Sequence, residues 1–146
     1  MVVFHKEPEF TWNPELHTAT CVMQDQSGRT YQASAMCHED DFDFESERTG
    51  CEIAFRRAKI MVLCSIRDNE LKPALKALNQ VYYSMAHSSN FNKKSYEAKT
   101  LIRHIRMTEF DLATIKEMLA IERQKLTDYI NGKDKFYRRL RAKKDN

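Results

Sequence analysis

The chain holds only three glycines and three prolines in 146 residues. That scarcity excludes collagen-like and proline-rich linker chains. So few turn formers also argue against a many-stranded sandwich or barrel. No uncharged apolar run approaches the roughly 20 residues that a membrane-spanning helix needs. The opening Met1-Val2-Val3-Phe4-His5-Lys6-Glu7 has neither a basic start nor a long apolar stretch, so no secretory signal is expected. No CxxC pair, HExxH, GxSxG or glycine-rich phosphate loop occurs. Without export, the four cysteines read as free thiols in a reducing cytoplasm. Apolar residues make up 42%, enough to fill one core, and the expected class is α+β with helix predominating.

The first sixteen residues read as an irregular arm anchored by Phe4, Phe10 and Trp12, with Pro8 and Pro14 among them. From residue 17 the pattern alternates. His17, Ala19, Cys21 and Met23 share one face, as do Tyr31, Ala33, Ala35 and Cys37, and Asp25-Gln26-Ser27-Gly28 lies between the two sets. Pairing Asp25 with Arg29 across a three-residue loop sets Met23 opposite Tyr31, Cys21 opposite Ala33, Ala19 opposite Ala35 and His17 opposite Cys37. A one-residue slip would divide the apolar set between the two faces. Gly28 supplies the left-handed position of that loop.

A two-stranded ribbon is marginal alone, so the hairpin over residues 17–37 must pack on the helices that follow. Asp43 is placed to cap a helix carrying Glu45 and Glu47 in its first turn. Cys51, Ala54, Phe55, Ala58, Met61, Val62 and Ser65 then recur at helical spacing, with Glu52 and Arg56 as an i,i+4 pair outside. The apolar run from Ile60 to Ile66 marks this as the central helix, and Gly50 implies close approach of another backbone. Residues 68–70 with Pro73 read as a break or kink. Leu71, Leu75, Leu78, Tyr82 and Met85 form a second helical stripe that ends in the polar 87–90 loop. Ala98, Leu101, Ile102 and Ile105 lie on a shorter basic helix over 95–106. Thr108 with Asp111 resembles a capping box opening a long helix through Leu112, Ile115, Leu119, Leu126 and Ile130, which Gly132 interrupts or caps. The organisation expected is one domain over residues 1–131, with its helices from residue 43 onward, and a basic extension over 132–146.

Charge is divided by position. Residues 38–52 hold the acids Glu39, Asp40, Asp41, Asp43, Glu45, Glu47 and Glu52 against Arg48 alone. Residues 132–146 hold Lys133, Lys135, Arg138, Arg139, Arg141, Lys143 and Lys144 against Asp134 and Asp145. Such asymmetry speaks of partners rather than of fold. The basic segment interleaves Phe136 and Tyr137 with arginines, offering phosphate contacts and faces for base stacking. Its candidate nucleic-acid contacts are Lys133, Lys135, Tyr137, Arg138, Arg139 and Arg141. On that reading, truncation after Gly132 removes binding and leaves the fold intact. Lys93, Lys94, Lys99, Arg103 and Arg106 form a second basic stretch. Cys21, Cys37, His38, Cys51 and Cys64 lack the paired spacing of a zinc site. Asp40, Asp41 and Asp43 lack a nuclease spacing, so neither metal, cofactor nor catalysis is expected. A homodimer through the last helix is compatible with every reading.

The stretch Ala35-Met36-Cys37-His38-Glu39-Asp40-Asp41-Phe42-Asp43 is followed by Gly50-Cys51-Glu52-Ile53-Ala54-Phe55-Arg56-Arg57-Ala58-Lys59. Together they resemble a pattern in small phage and prophage proteins of Gram-positive bacteria. There a strand ends in cysteine, an acidic D-x-F turn follows, and a helix opens with G-x-x-I-A-x-x-R-A-x. The resemblance covers about residues 18–62. It implies a non-catalytic accessory protein acting on host defence, of the class that includes anti-CRISPR inhibitors binding a Cas nuclease, in the cytoplasm of the host cell. The expected partner is then a host protein. The segment Glu39, Asp40, Asp41, Asp43, Glu45 and Glu47 would engage a basic nucleic-acid groove on it.

Overall fold

A computed structural model describes Phe4, residues 6–44 and residues 46–145, without the side chains of Asp40, Asp43 and Phe44. Three strands form an antiparallel sheet in the order β1-β2-β3: β1 (Glu9–Asn13), β2 (Thr18–Gln24) and β3 (Thr30–Met36). A 3-10 turn over Glu39–Phe44 leads to α1 (Glu47–Ser65), a π-helical segment (Ile66–Leu71), α2 (Lys72–Ala86) and α3 (Tyr96–Asp145). The chain divides into two compact units, one of Met1–Leu63 with Ala120–Asn146 and the other of Cys64–Leu119.

In the first unit the hairpin has the expected register. Met23 faces Tyr31, Cys21 faces Ala33 and Ala19 faces Ala35. Beyond the ladder, the Cys37 N–H donates to the His17 carbonyl at 2.9 Å. Asp25 N–H donates to Arg29 O at 3.0 Å, and Gly28 has a φ of 87°. The arm, however, contains a third strand. Phe10 and Trp12 alternate with Glu9, Thr11 and Asn13, and the ladder sets them opposite Cys21 and Ala19. Pro8 and Pro14 flank β1 without entering it, so neither removes a ladder bond.

α1 lies on the apolar face of this sheet. Ala19, Cys21, Met23, Ala33 and Ala35 are buried there with Ala54, Ala58 and Val62. Small residues on both surfaces permit the close approach. A Cβ added at Gly50 would stand 3.0 Å from the Ala19 Cβ and 3.4 Å from the Trp12 ring. The approach at Gly50 is thus to side chains of β1 and β2 rather than to a backbone. Phe10 meets Phe55 edge-on at 6.2 Å, and the Arg57 guanidinium donates to Ser34 O at 2.8 Å. α1 begins at Glu47, four residues after Asp43, whose side chain lies outside the described residues. The 3-10 turn intervenes, and the Ser46 hydroxyl accepts from Thr49 N–H at 3.3 Å. Met61, expected in the core, is exposed. The C-terminal half of α3 packs on α1 through Lys59 with buried Glu122 at 3.1 Å and Arg56 over the Tyr129 ring at 5.5 Å.

In the second unit the chain does not break at Pro73. Lys72 N–H bonds back to Arg67 O, five residues earlier, and this wider turn takes up the ring and missing donor of Pro73 at the start of α2. Asp68 binds Arg67 at 2.8 Å and Lys72 at 3.2 Å alongside it. The stripe Leu71, Leu75, Leu78, Tyr82 and Met85 is half-buried, and Phe91 from the loop meets Tyr82 edge-on. Ser95 caps α3, its hydroxyl accepting from Ala98 N–H at 3.2 Å. The two helices expected from residue 95 onward are one. Thr108 turns its hydroxyl to His104 O at 2.9 Å instead of capping a new start. No glycine or proline lies nearby to open the ladder. Gly132 likewise neither interrupts nor caps, because α3 continues to Asp145.

Candidate functional site

The two charged poles of the sequence meet in the first unit. Asp41, buried in the 3-10 turn, forms an ion pair with Arg141. One turn earlier on α3, Tyr137 is 9% exposed and shares a hydrogen bond with Thr49. Burial pushes its phenol above the ordinary range, partly offset by that bond and reinforced by the nearby Cys37 and Asp41. Lys133, Tyr137 and Arg141, at i, i+4 and i+8, occupy the helix face turned to this contact. A cleft of about 190 Å³ opens beside it, lined among others by Trp12, His17, Cys37, His38, Lys133 and Tyr137. At its lip His17 has a φ of 50° and stacks on Phe42 at 3.6 Å.

This arrangement sorts the candidate acids. Glu39 and Glu47 are exposed, and Asp41 is engaged by Arg141. The side chains of Asp40 and Asp43, and the whole of Glu45, lie outside the described residues. It sorts the bases as well. Lys135, Arg138 and Arg139 are exposed, as is Lys143. Lys133 reaches over the rings of Tyr129 at 5.6 Å and Phe136 at 5.8 Å. Tyr137 and Arg141 face inward. The available aromatic ring is instead Phe136, 50% exposed between Lys135 and the arginines. The signal for Tyr137 was present in the sequence. Leu119, Leu126, Ile130 and Tyr137 follow one another at seven, four and seven residues, so the apolar stripe runs straight into the basic segment. The partnership of Asp41 with Arg141 had no comparable signal.

Cys21 is fully buried, while Cys37, Cys51 and Cys64 are half-buried. Burial, then the neighbouring Cys51, pushes the Cys21 thiol up to about 11, and burial followed by Glu47 raises that of Cys51. Both therefore remain thiols at neutral pH, poor nucleophiles and poor ligands. Among the described residues no three His, Cys, Asp or Glu side chains are grouped to hold a metal ion. Nor is any described helix long and apolar enough to cross a membrane. No family model, curated protein or solved structure matches the chain.

Proposed function

We propose that the chain is a non-catalytic nucleic-acid-binding protein whose contact surface is the basic end of α3. The observation that carries the reading is the inward anchoring of Tyr137 and Arg141. It fixes the final turns as an ordered helix, with Lys135, Arg138 and Arg139 exposed beside the half-exposed ring of Phe136. Cations held on a fixed scaffold neutralise phosphates with little ordering cost, and an exposed ring adds a stacking face. The test is a titration of labelled DNA and RNA strands with the wild type and with the triple variant Lys135→Gln, Arg138→Gln, Arg139→Gln. The expected result is weaker binding of all sequences by the variant, with unchanged helical content. Equal affinity for the two proteins would refute the placement.

The reading favoured by the phage-protein resemblance uses the acidic segment to imitate a nucleic-acid backbone toward a host defence protein such as a Cas nuclease. It retains exposed Glu39 and Glu47 but yields Asp41 to Arg141, and is therefore the less supported of the two. Capture by such a nuclease that is lost in the variant Glu39→Gln, Glu47→Gln would favour it over the nucleic-acid reading.

A further inference from the structure

A second surface lies wholly within the unit of Cys64–Leu119. Lys99, Arg103, Arg106 and Phe110 follow one another along α3 at four, three and four residues and so share one face. Together with Ile102, Met107 and Asp111 they line a shallow open groove. Phe110 is 71% exposed and Met107 58%. The buried residues of α3 in this unit, Ala98, Leu112, Ile115 and Leu119, lie on the other side of the helix, so burial does not use this face. A purely solvated helix face carries polar residues at such positions, whereas a large ring rimmed by charge marks a contact surface. Three cations against the one carboxylate of Asp111 make that contact one for an anion. Set face to face, a second copy of the chain would bring the same three cations, whereas a polyanion neutralises them.

We infer that this face is a second nucleic-acid site, specific for single strands. The inference rests on the nucleic-acid reading above and adds to it a separate surface and a substrate class. Lys99, Arg103 and Arg106 stand about one helical turn apart and take successive phosphates. Phe110 takes the face of a base, which only an unpaired strand can present.

The test uses the full chain with three probes: a single-stranded thymidine hexanucleotide, an abasic strand with the same number of phosphates, and a duplex. The expected result is saturation at two hexanucleotides per chain, each step favouring the thymidine strand over the abasic strand, the step that belongs to this face by about tenfold. The variant Phe110→Ala should lose that preference, and Arg103→Gln with Arg106→Gln should saturate at one. These positions are exposed, so the fold survives the changes, and circular dichroism checks it. Saturation at one strand that is sensitive only to Lys135, Arg138 and Arg139 overturns this inference and spares the proposed function. Absence of binding to any probe overturns both. A Phe110→Ala variant that converts a dimer to a monomer in sedimentation, with oligonucleotide binding unchanged, overturns the inference in favour of a second copy.

Discussion

Asp25 is 2% exposed, yet its carboxylate is fully engaged. Oδ1 accepts from Ser27 N–H at 2.9 Å, the Ser27 hydroxyl at 2.6 Å and Arg29 N–H at 3.0 Å, while Oδ2 accepts from the Tyr31 hydroxyl at 2.8 Å. Burial raises its pKa, but these bonds outweigh burial and hold it below the usual carboxylate range. A depressed native pKa contributes stability that is present above the unfolded value and is lost as pH falls through the native one. Asp25→Asn should therefore cost about 1.5–3 kcal/mol at neutral pH, with the gap to wild type narrowing in acid. Urea unfolding across that range measures it, and a gap that is constant with pH would contradict the assignment. The sequence marked Asp25 as a turn residue, but not as a buried charge, because burial is set by the packing of distant elements. Two glycines make a matched pair at the same scale. Gly50→Ala sets a methyl 3.0 Å from the Ala19 Cβ, which is buried on the middle strand and held by ladders on both sides, so the clash outweighs the gain in helix propensity and should destabilise by about 1–2 kcal/mol. Gly132→Ala meets nothing within 4 Å in mid-helix and should stabilise by about 0.5–1 kcal/mol. Thermal melts of the two variants should move in opposite directions.

At the scale of elements, local pattern was legible wherever it was long enough. The hairpin register followed from alternation alone, because a slip would have turned buried side chains outward. β1 escaped that reading because five residues between two prolines carry only two apolar positions. The continuity of α3 escaped for a different reason. Threonine followed by an acid three residues later fits a helix start, but it fits equally well inside a helix whose ladder nothing breaks. The same continuity changes the meaning of the C-terminal segment, which is in part a structural element. Truncation after Gly132 removes Tyr137 from beside Thr49 and Arg141 from Asp41, so it should lower the melting temperature of the first unit and, on the proposed reading, abolish the binding that belongs to the end of α3. A truncated chain that melts like the wild type would show that these contacts contribute little. The exposed triple variant at 135, 138 and 139 separates the two effects, since it keeps both anchors.

For the molecule as a whole, counting charge by position located two poles, but not their meeting. Asp41 and Arg141 are 100 residues apart in the chain, and no local rule spans that distance. Their pairing joins the end of the chain to the turn after β3 and leaves a net positive exposed surface on the final turns of α3. On the proposed reading, binding through that surface is electrostatic, so its signature is the dependence of affinity on salt. The decisive measurement is the slope of the logarithm of the association constant against the logarithm of salt concentration, for a single-stranded oligonucleotide, in the wild type and in Lys135→Gln, Arg138→Gln, Arg139→Gln. The expected result is a steep decline for the wild type and a slope shallower by roughly 2 in the variant, three phosphate contacts at about 0.7 each. Identical slopes in the two proteins, or no binding by the wild type at low salt, would contradict the claim that the end of α3 is the nucleic-acid surface.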